Sequence, residues 1–434
     1  MISQHERDLI VALLKREVVP AIGCTEPIAV ALCVAKVAET LGKKPEKISV
    51  KLSANILKNA MGVGIPGTGG MIGLPISVAL GALIGKSEYG LEVLRDCTPE
   101  AVEEGKRMID AQTIDIELKS GIEEKLYIEA VASAGDDTAR AIISGGHTHF
   151  VYVALNADVL LDEQNSSSQD AGCEEDVVLS LRKIYEFAMT APMEDISFIL
   201  ESGRVNKRAA EHSFKGDYGH ALGKTLMSSK SEMLVMGGST FSHIIAYTSA
   251  ACDARMAGEM VPIMTTAGSG NLGISATLPV VVYAEEKGKS EEELTRALIV
   301  SQLIAIYMKQ NLGRLSAVCG CVVAAAGSSC AITYLMGGKY DQMVYAVQNM
   351  IANLTGVICD GAKPSCAMKL TSGIATAVLS AILAMENRCA TSVEGIIEDN
   401  VELSIRNLTK IGTEGMNVTD SMILDMMTHK HCNE

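Results

Sequence analysis

Residues 359–366 read CDGAKPSC, two thiols held in one short loop with a glycine and a proline between them. Cysteine thiolate is a soft ligand suited to zinc or iron–sulfur chemistry, and Gly361 and Pro364 let the backbone turn both side chains toward one centre. Upstream, SAVCGC at 316–321 places Cys319 and Cys321 just before a Gly- and Ala-rich helical pattern. Ordinary burial is the competing reading, because free cysteine is among the most buried residue types and twelve cysteines produce some close pairs by chance. None of these pairs has the sharper C-x-x-C spacing. If three thiolates held a cubane cluster, its fourth iron would lack a protein ligand and could polarise a substrate as a Lewis acid, with no redox turnover.

Cys24 lies in PAIGCTEP, where Pro20 and Pro27 interrupt a helical periodicity that otherwise runs over residues 5–41. Pro27 suits the first turn of the following helix, so Cys24, Thr25 and Glu26 are expected at its N-terminus. Such a position lowers a thiol's pKa and offers backbone N–H groups to an anion, whereas an ionised Glu26 opposes the thiolate. The alternative for Cys24 is a small buried residue in a turn.

The segment ANILKNAMGVGIPGTGG at 54–70 supplies Asn55, Lys58, Asn59 and Thr68, with glycines that expose backbone N–H groups to a carboxylate. It is a candidate substrate cradle, or else an irregular Gly-rich connection with Lys58 in solvent. A second such loop, TTAGSGNLGIS at 265–275, superficially matches G-x-G-x-x-G but lacks the strand and the following acidic residue of a dinucleotide site, so it is expected to wall the active site instead. His147 and His149 in GGHTH alternate along an expected strand and would share a face, where imidazoles bind metal, orient a carboxylate or act as a base. His429, His431 and Cys432 form a metal-like group at a chain end, where mobility argues against function.

Taken together, IGCTEPIA, ANILKNAMGVGIPGTGG, ISGGHTH, GRLSAVCGC and CDGAKPSC resemble the L-cysteine desulfidase family, which is related to the alpha chain of iron–sulfur L-serine dehydratases. The resemblance runs over nearly the whole chain. It implies an oxygen-sensitive [4Fe-4S] cluster and a non-redox β-elimination of L-cysteine to pyruvate, ammonia and sulfide. It also implies Cys24 as proton acceptor, Cys359 and Cys366 as cluster ligands, and Cys319 in preference to Cys321 as the third. Elimination of water from L-serine by the same apparatus is the near alternative. A non-catalytic zinc- or amino-acid-binding protein is the distant one.

These residues need a scaffold. Hydrophobic residues make up 48% of the 434, yet aromatics only 4% and tryptophan none, so the interior must be built from Ala, Val, Ile, Leu and 22 Met. With 39 Gly, that composition favours closely packed helices. Alternating patterns at 47–56 and 112–160 predict strands, with two hairpins turning at SG (120) and GDD (135) and SGGHTH as a bulge or longer connection. The expected architecture is α+β: an N-terminal helical region (1–100) with Cys24 and the Gly-rich loop, a small antiparallel β unit (101–162), a polar linker at 163–176, and a mainly helical cluster-binding domain (175–434).

A formal net charge of -15 disfavours nucleic acid and anionic membrane as partners. The first twenty residues mix both signs of charge and lack a secretory pattern, so a cytoplasmic protein with reduced thiols is expected. Residues 59–85, 261–284 and 315–338 carry no charge, but their Gly, Pro, Ser, Thr and Asn content points to buried, ligand-facing backbone more than to membrane spans. The partners expected are an amino-acid substrate and further copies of the chain, symmetric homo-oligomers being the commonest assemblies.

Overall fold

The structure is a computed structural model that describes residues 2–122, 124–164, 177–231, 237–313 and 315–429. Most of the linker expected at 163–176, together with His431 and Cys432, lies outside the described residues.

The chain opens with helix α1 (Gln4–Glu17), started by a reciprocal Ser3–Glu6 capping box. It then runs as strand β1 (Pro20–Ile22) and re-enters helix as α2 (Thr25–Leu41). The prolines thus break the helix where expected, and Gly42 closes α2 in a left-handed conformation. After α2 come β2 (Lys47–Leu52), the short α3 (Ala54–Ala60), α4 (Leu74–Ile84) and α5 (Pro99–Asp110). Five strands follow: β3 (Ile114–Leu118), β4 (Tyr127–Ala134), β5 (Asp137–Ser144), β6 (Phe150–Leu155) and β7 (Asp158–Asp162).

The six strands β2–β7 form one sheet in the order β3-β2-β4-β5-β6-β7. It is antiparallel except for the β2–β3 pair, which runs parallel with Val50 opposite Ile116. The SG at 120 is therefore not a hairpin turn: β2 inserts between β3 and β4, and its apolar face, carrying Ile48, Val50 and Leu52, takes the central position that β3 cannot fill. Asp136, by contrast, lies at the β4–β5 turn as expected. One face of β4 and β5 packs on α2, which also packs on α4, and α2 is accordingly apolar nearly all round.

The remainder is helical. Its main elements are α6 (Leu181–Thr190), α7 (Leu200–Ser213), α8 (Thr240–Met256), α9 (Gly270–Glu286), α10 (Glu291–Leu312), α11 (Gly320–Leu335), α12 (Tyr340–Leu354), α13 (Cys366–Met385), α14 (Val401–Lys410) and α15 (Asn417–Thr428). A short strand before α9, β8 (Pro262–Met264), pairs antiparallel with β1 and ties the N-terminal region to the helical part. Helix α11 sits in the middle, against α9, α10, α12 and α13. Its Ala324, Ala325, Ala326, Ser328 and Ser329 are wholly buried, and side chains this small let four helices approach one axis.

Two large hydrophobic cores result among the described residues, beside a small cluster of Leu272, Ala276, Ala305 and Ala324. One joins α2, α4 and the sheet, and the other fills the helical part; Cys24 belongs to the second although Ile28, one turn along the same helix, belongs to the first. Each Val, Ile or Leu buried in them contributes about 1.5–3 kcal/mol relative to exposure. Among the described helices, α13 alone is long and apolar enough to cross a membrane, and half of its apolar window is buried inside the protein. The three uncharged stretches instead hold the loops before α4, α9 and α11 together with all or most of those helices.

Candidate active site

Where the two cores meet, a cavity of about 90 Å³ is lined by Cys24, Glu26, Asn59, His147, Arg255, Lys309, Cys319, Cys321, Cys359 and Cys366, among others. Its free space matches a few water molecules, which suits a small polar ligand.

Cys24 is the residue just before the first turn of α2, with extended φ/ψ of -83° and 136°. Its thiol donates to Glu26 Oε2 at 3.2 Å, and Glu26 Oε1 accepts from Asn59 Nδ2 of α3 at 3.1 Å. A lowered thiol pKa was expected at this helix end, but the opposite holds. Cys24 is 2% exposed, and burial, reinforced by the Glu26 carboxylate, pushes its pKa well above the usual thiol range. Loss of solvent outweighs the partial charge of the helix terminus.

The thiols of the other wall are brought together by backbone. Cys319 N–H donates to Val357 O at 2.9 Å, and Cys359 N–H donates to Ala317 O at 2.7 Å, so the two loops pair like a single rung of antiparallel sheet at Val318–Ile358. Cys319 ends up just before α11, and Cys366 opens α13. Between them Gly361 has φ +85°, and a Cβ there would stand 2.4 Å from Lys58 O, so glycine is required both for the turn and for its seat against α3.

Burial raises the Cys359 thiol and pushes Cys366 up to about 11, while a hydrogen bond with Cys319, then burial, raises Cys321. Buried thiols of this kind ionise when a metal takes the proton's place. Lys309 faces the same charges: burial lowers its ammonium to about 8, against the opposing pull of Cys359 and Glu26.

Among the described residues, no three His, Cys, Asp or Glu side chains converge on one metal-ion position. A polynuclear group places each ligand on a different iron, so a single point of convergence is not required of it. Soft sulfur donors from separate segments on one buried cavity therefore fit an iron–sulfur cluster as a donor set.

Of the residues singled out from sequence, Cys24, Asn59, His147, Cys319, Cys359 and Cys366 line this cavity, and Asn55, Lys58 and Thr68 do not. Lys58 is 1% exposed; its ammonium pairs with Asp420 of α15 and donates to Cys359 O at 3.3 Å. Asn55 Nδ2 donates to the other oxygen of Asp420. Thr68 works inside its own loop, donating to Ile65 O and accepting from Met71 N–H.

His147 and His149 do not share a face. Residues 145–149 form a turn between β5 and β6, closed by His149 N–H donating to Gly146 O, so the two-residue alternation of a strand is broken. His147 is buried on the cavity, whereas His149 is exposed beside Ser144 O. The 265–275 loop walls the cavity as expected, through Ala267, Gly268, Ser269, Asn271 and Leu272.

Sequence reasoning did not single out Arg255 of α8 or Lys309 of α10. Their signal was a charge set within a largely apolar run of helix, a rare pattern unless the charge has a task.

Comparison with known proteins shows the family of the chain. The family model of the serine dehydratase alpha chain matches residues 88–425, a span that holds His147, Arg255, Lys309 and four of the five cavity cysteines, all but Cys24. A UPF0597 protein of Phocaeicola vulgatus is 69% identical over the full length of both chains. One from Bacteroides fragilis is 70% identical over 99% of this chain and all of its own. A UPF0597 protein of Yersinia enterocolitica keeps 41% identity over 97% of each. The chain thus belongs to the serine dehydratase alpha chain family and, within it, stands with the UPF0597 proteins.

Proposed function

We propose that the protein is an iron–sulfur-dependent lyase that eliminates the β-substituent of a small L-amino acid, with L-cysteine as substrate and pyruvate, ammonia and sulfide as products. One observation carries this reading: a hydrogen-bonded Cys24–Glu26 pair and the thiols of Cys319, Cys359 and Cys366 line the same small cavity. Elimination needs a base for the α-proton and an electrophile for the leaving group, both reaching one ligand.

In this reading Cys319, Cys359 and Cys366 hold a [4Fe-4S] cluster. When bound, that group supplies Lewis acidity for the departing thiol without changing redox state. The chain's own residues do the rest. Cys24 starts protonated against the Glu26 carboxylate, passes that proton to Glu26, and as thiolate takes the α-proton of the substrate. Asn59 holds Glu26 in place for the exchange. Burial by α2, α11 and α13 keeps water from competing at the α-carbon.

The resemblance of the CDGAKPSC and IGCTEPIA motifs to the desulfidases favours cysteine over serine. The test is an anaerobic assay of reconstituted protein with each amino acid. Equal sulfide and pyruvate from L-cysteine is the expected result. Pyruvate from L-serine alone would make it a dehydratase, and no product from either would overturn the lyase reading.

A further inference from the structure

A cavity that receives a free amino acid must recognise a zwitterion, a carboxylate and an ammonium on one carbon. Among the cavity's lining residues, Arg255 and Asn59 each carry a buried polar atom with no hydrogen-bond partner among the described residues. Arg255 is 4% exposed; its Nη1 donates to Asn271 Oδ1 at 2.9 Å, but its Nε has no hydrogen-bond partner. Asn59 is 8% exposed and gives its Nδ2 to Glu26, while its Oδ1 has no partner. An orphaned buried donor or acceptor costs about 1–3 kcal/mol, more when charged, so each of these side chains gains by pairing with a ligand group of opposite kind.

Two other cations near the site are committed to carboxylates of the protein. Lys58 is paired with Asp420, and Lys369 pairs with Asp360 and donates to Ile358 O at 2.8 Å. Lys309 sits among Cys359, Glu26, Cys319 and Cys321. Arg255 has no carboxylate within ion-pair distance among the described residues, and guanidinium matches a carboxylate in shape. Its place is built. A Cβ on Gly270 would stand 2.3 Å from Arg255 Nε, so the guanidinium lies directly over the start of α9 because residue 270 has no side chain. Asn271, the next residue, fixes its other end.

We propose that Arg255 and Asn59 form a two-point zwitterion site: Arg255 takes the α-carboxylate of the incoming amino acid, and Asn59 Oδ1 accepts from its α-ammonium. This rests on the lyase reading for the identity of the site but not for its test. The probe is L-alanine, which has no leaving group, titrated calorimetrically into anaerobically reconstituted protein beside L-alaninamide, which lacks the carboxylate, and L-lactate, which lacks the ammonium. Wild type should bind L-alanine at least about tenfold more tightly than either analogue, as expected for losing one charge-assisted hydrogen bond.

Arg255→Met should abolish the preference for L-alanine over L-alaninamide while keeping that over L-lactate, and Asn59→Leu should do the reverse. A general loss of folding cannot produce that crossed pattern. Gly270→Ala, which displaces the guanidinium without removing it, should act like a weaker Arg255→Met. Equal binding of all three compounds by wild type, or an unchanged carboxylate preference in Arg255→Met and Gly270→Ala, would overturn the proposal. Because the readout is binding, it stands even where neither cysteine nor serine turns over, and it can fail in an enzyme that is fully active.

Discussion

At the residue scale the chemistry turns on how one proton is shared between Cys24 and Glu26. Burial and the neighbouring carboxylate hold the thiol protonated well beyond the usual thiol range, so the proton count of the pair stays constant where a free cysteine would titrate, near about pH 8.5. A transfer within the pair then gives a rate that is flat with pH there. Removing the carboxylate charge by Glu26→Gln leaves bulk ionisation as the route to thiolate, so its slower turnover should rise with pH. An unchanged flat profile in that variant would rule out Glu26 as the acceptor. Cys24→Ser should retain iron and its visible absorbance while losing at least about 100-fold in turnover, the usual scale for a proton-transfer group. Full activity in that protein would exclude Cys24 as the base.

At the element scale the site depends on a helix that does not line it. Asp420 of α15 fixes Lys58 and Asn55 of α3, and Lys58 holds the carbonyl of Cys359, so the ligand loop is braced through a buried ion pair from the far end of the described chain. Breaking a buried pair from one side leaves an uncompensated charge and costs about 3–5 kcal/mol. Asp420→Ala should therefore lower the chemical-denaturation midpoint and weaken iron retention. Adding Lys58→Met to it should recover much of the stability, because the stranded ammonium is gone. If iron content and midpoint are untouched by Asp420→Ala, the brace carries no load. The same two residue types, Lys and Asn, read from sequence as a cradle for a carboxylate; they do grip one, and it comes from the protein itself.

For the whole molecule, the cavity is a seam between two cores, with Cys24, Glu26 and Asn59 contributed by the N-terminal part of the chain and the other four cavity cysteines by the C-terminal helices and their loops. A group bound by the native state alone stabilises it by mass action. Cluster-loaded protein should melt above the iron-free form, and exposure to air should move the loaded sample down to the iron-free value. Coincident melting of the two forms would mean that the thiols do not bind the group in the folded state. Glu293 reports on the scaffold instead. Its capping-box hydrogen bonds to Ser290 at the start of α10 hold its carboxyl near about 2, below the unfolded value, so that contribution is present above about pH 5 and fades as the pH falls toward 2.

What the sequence determined by itself was local. Pro20 and Pro27 set the break that puts Cys24 before α2, alternation marked the strands, small residues marked the packed helices, and the cysteine loops stood out by type and spacing. These follow from constraints acting over a few residues. Tertiary structure decided the pairings across distance: the insertion of β2 between β3 and β4, the capture of Lys58 by Asp420, and the turn that parts His147 from His149. It also decided the sign of the Cys24 shift and the burial of Arg255 Nε without a hydrogen-bond partner, because desolvation depends on everything packed around a group and no stretch of neighbouring residues carries that information.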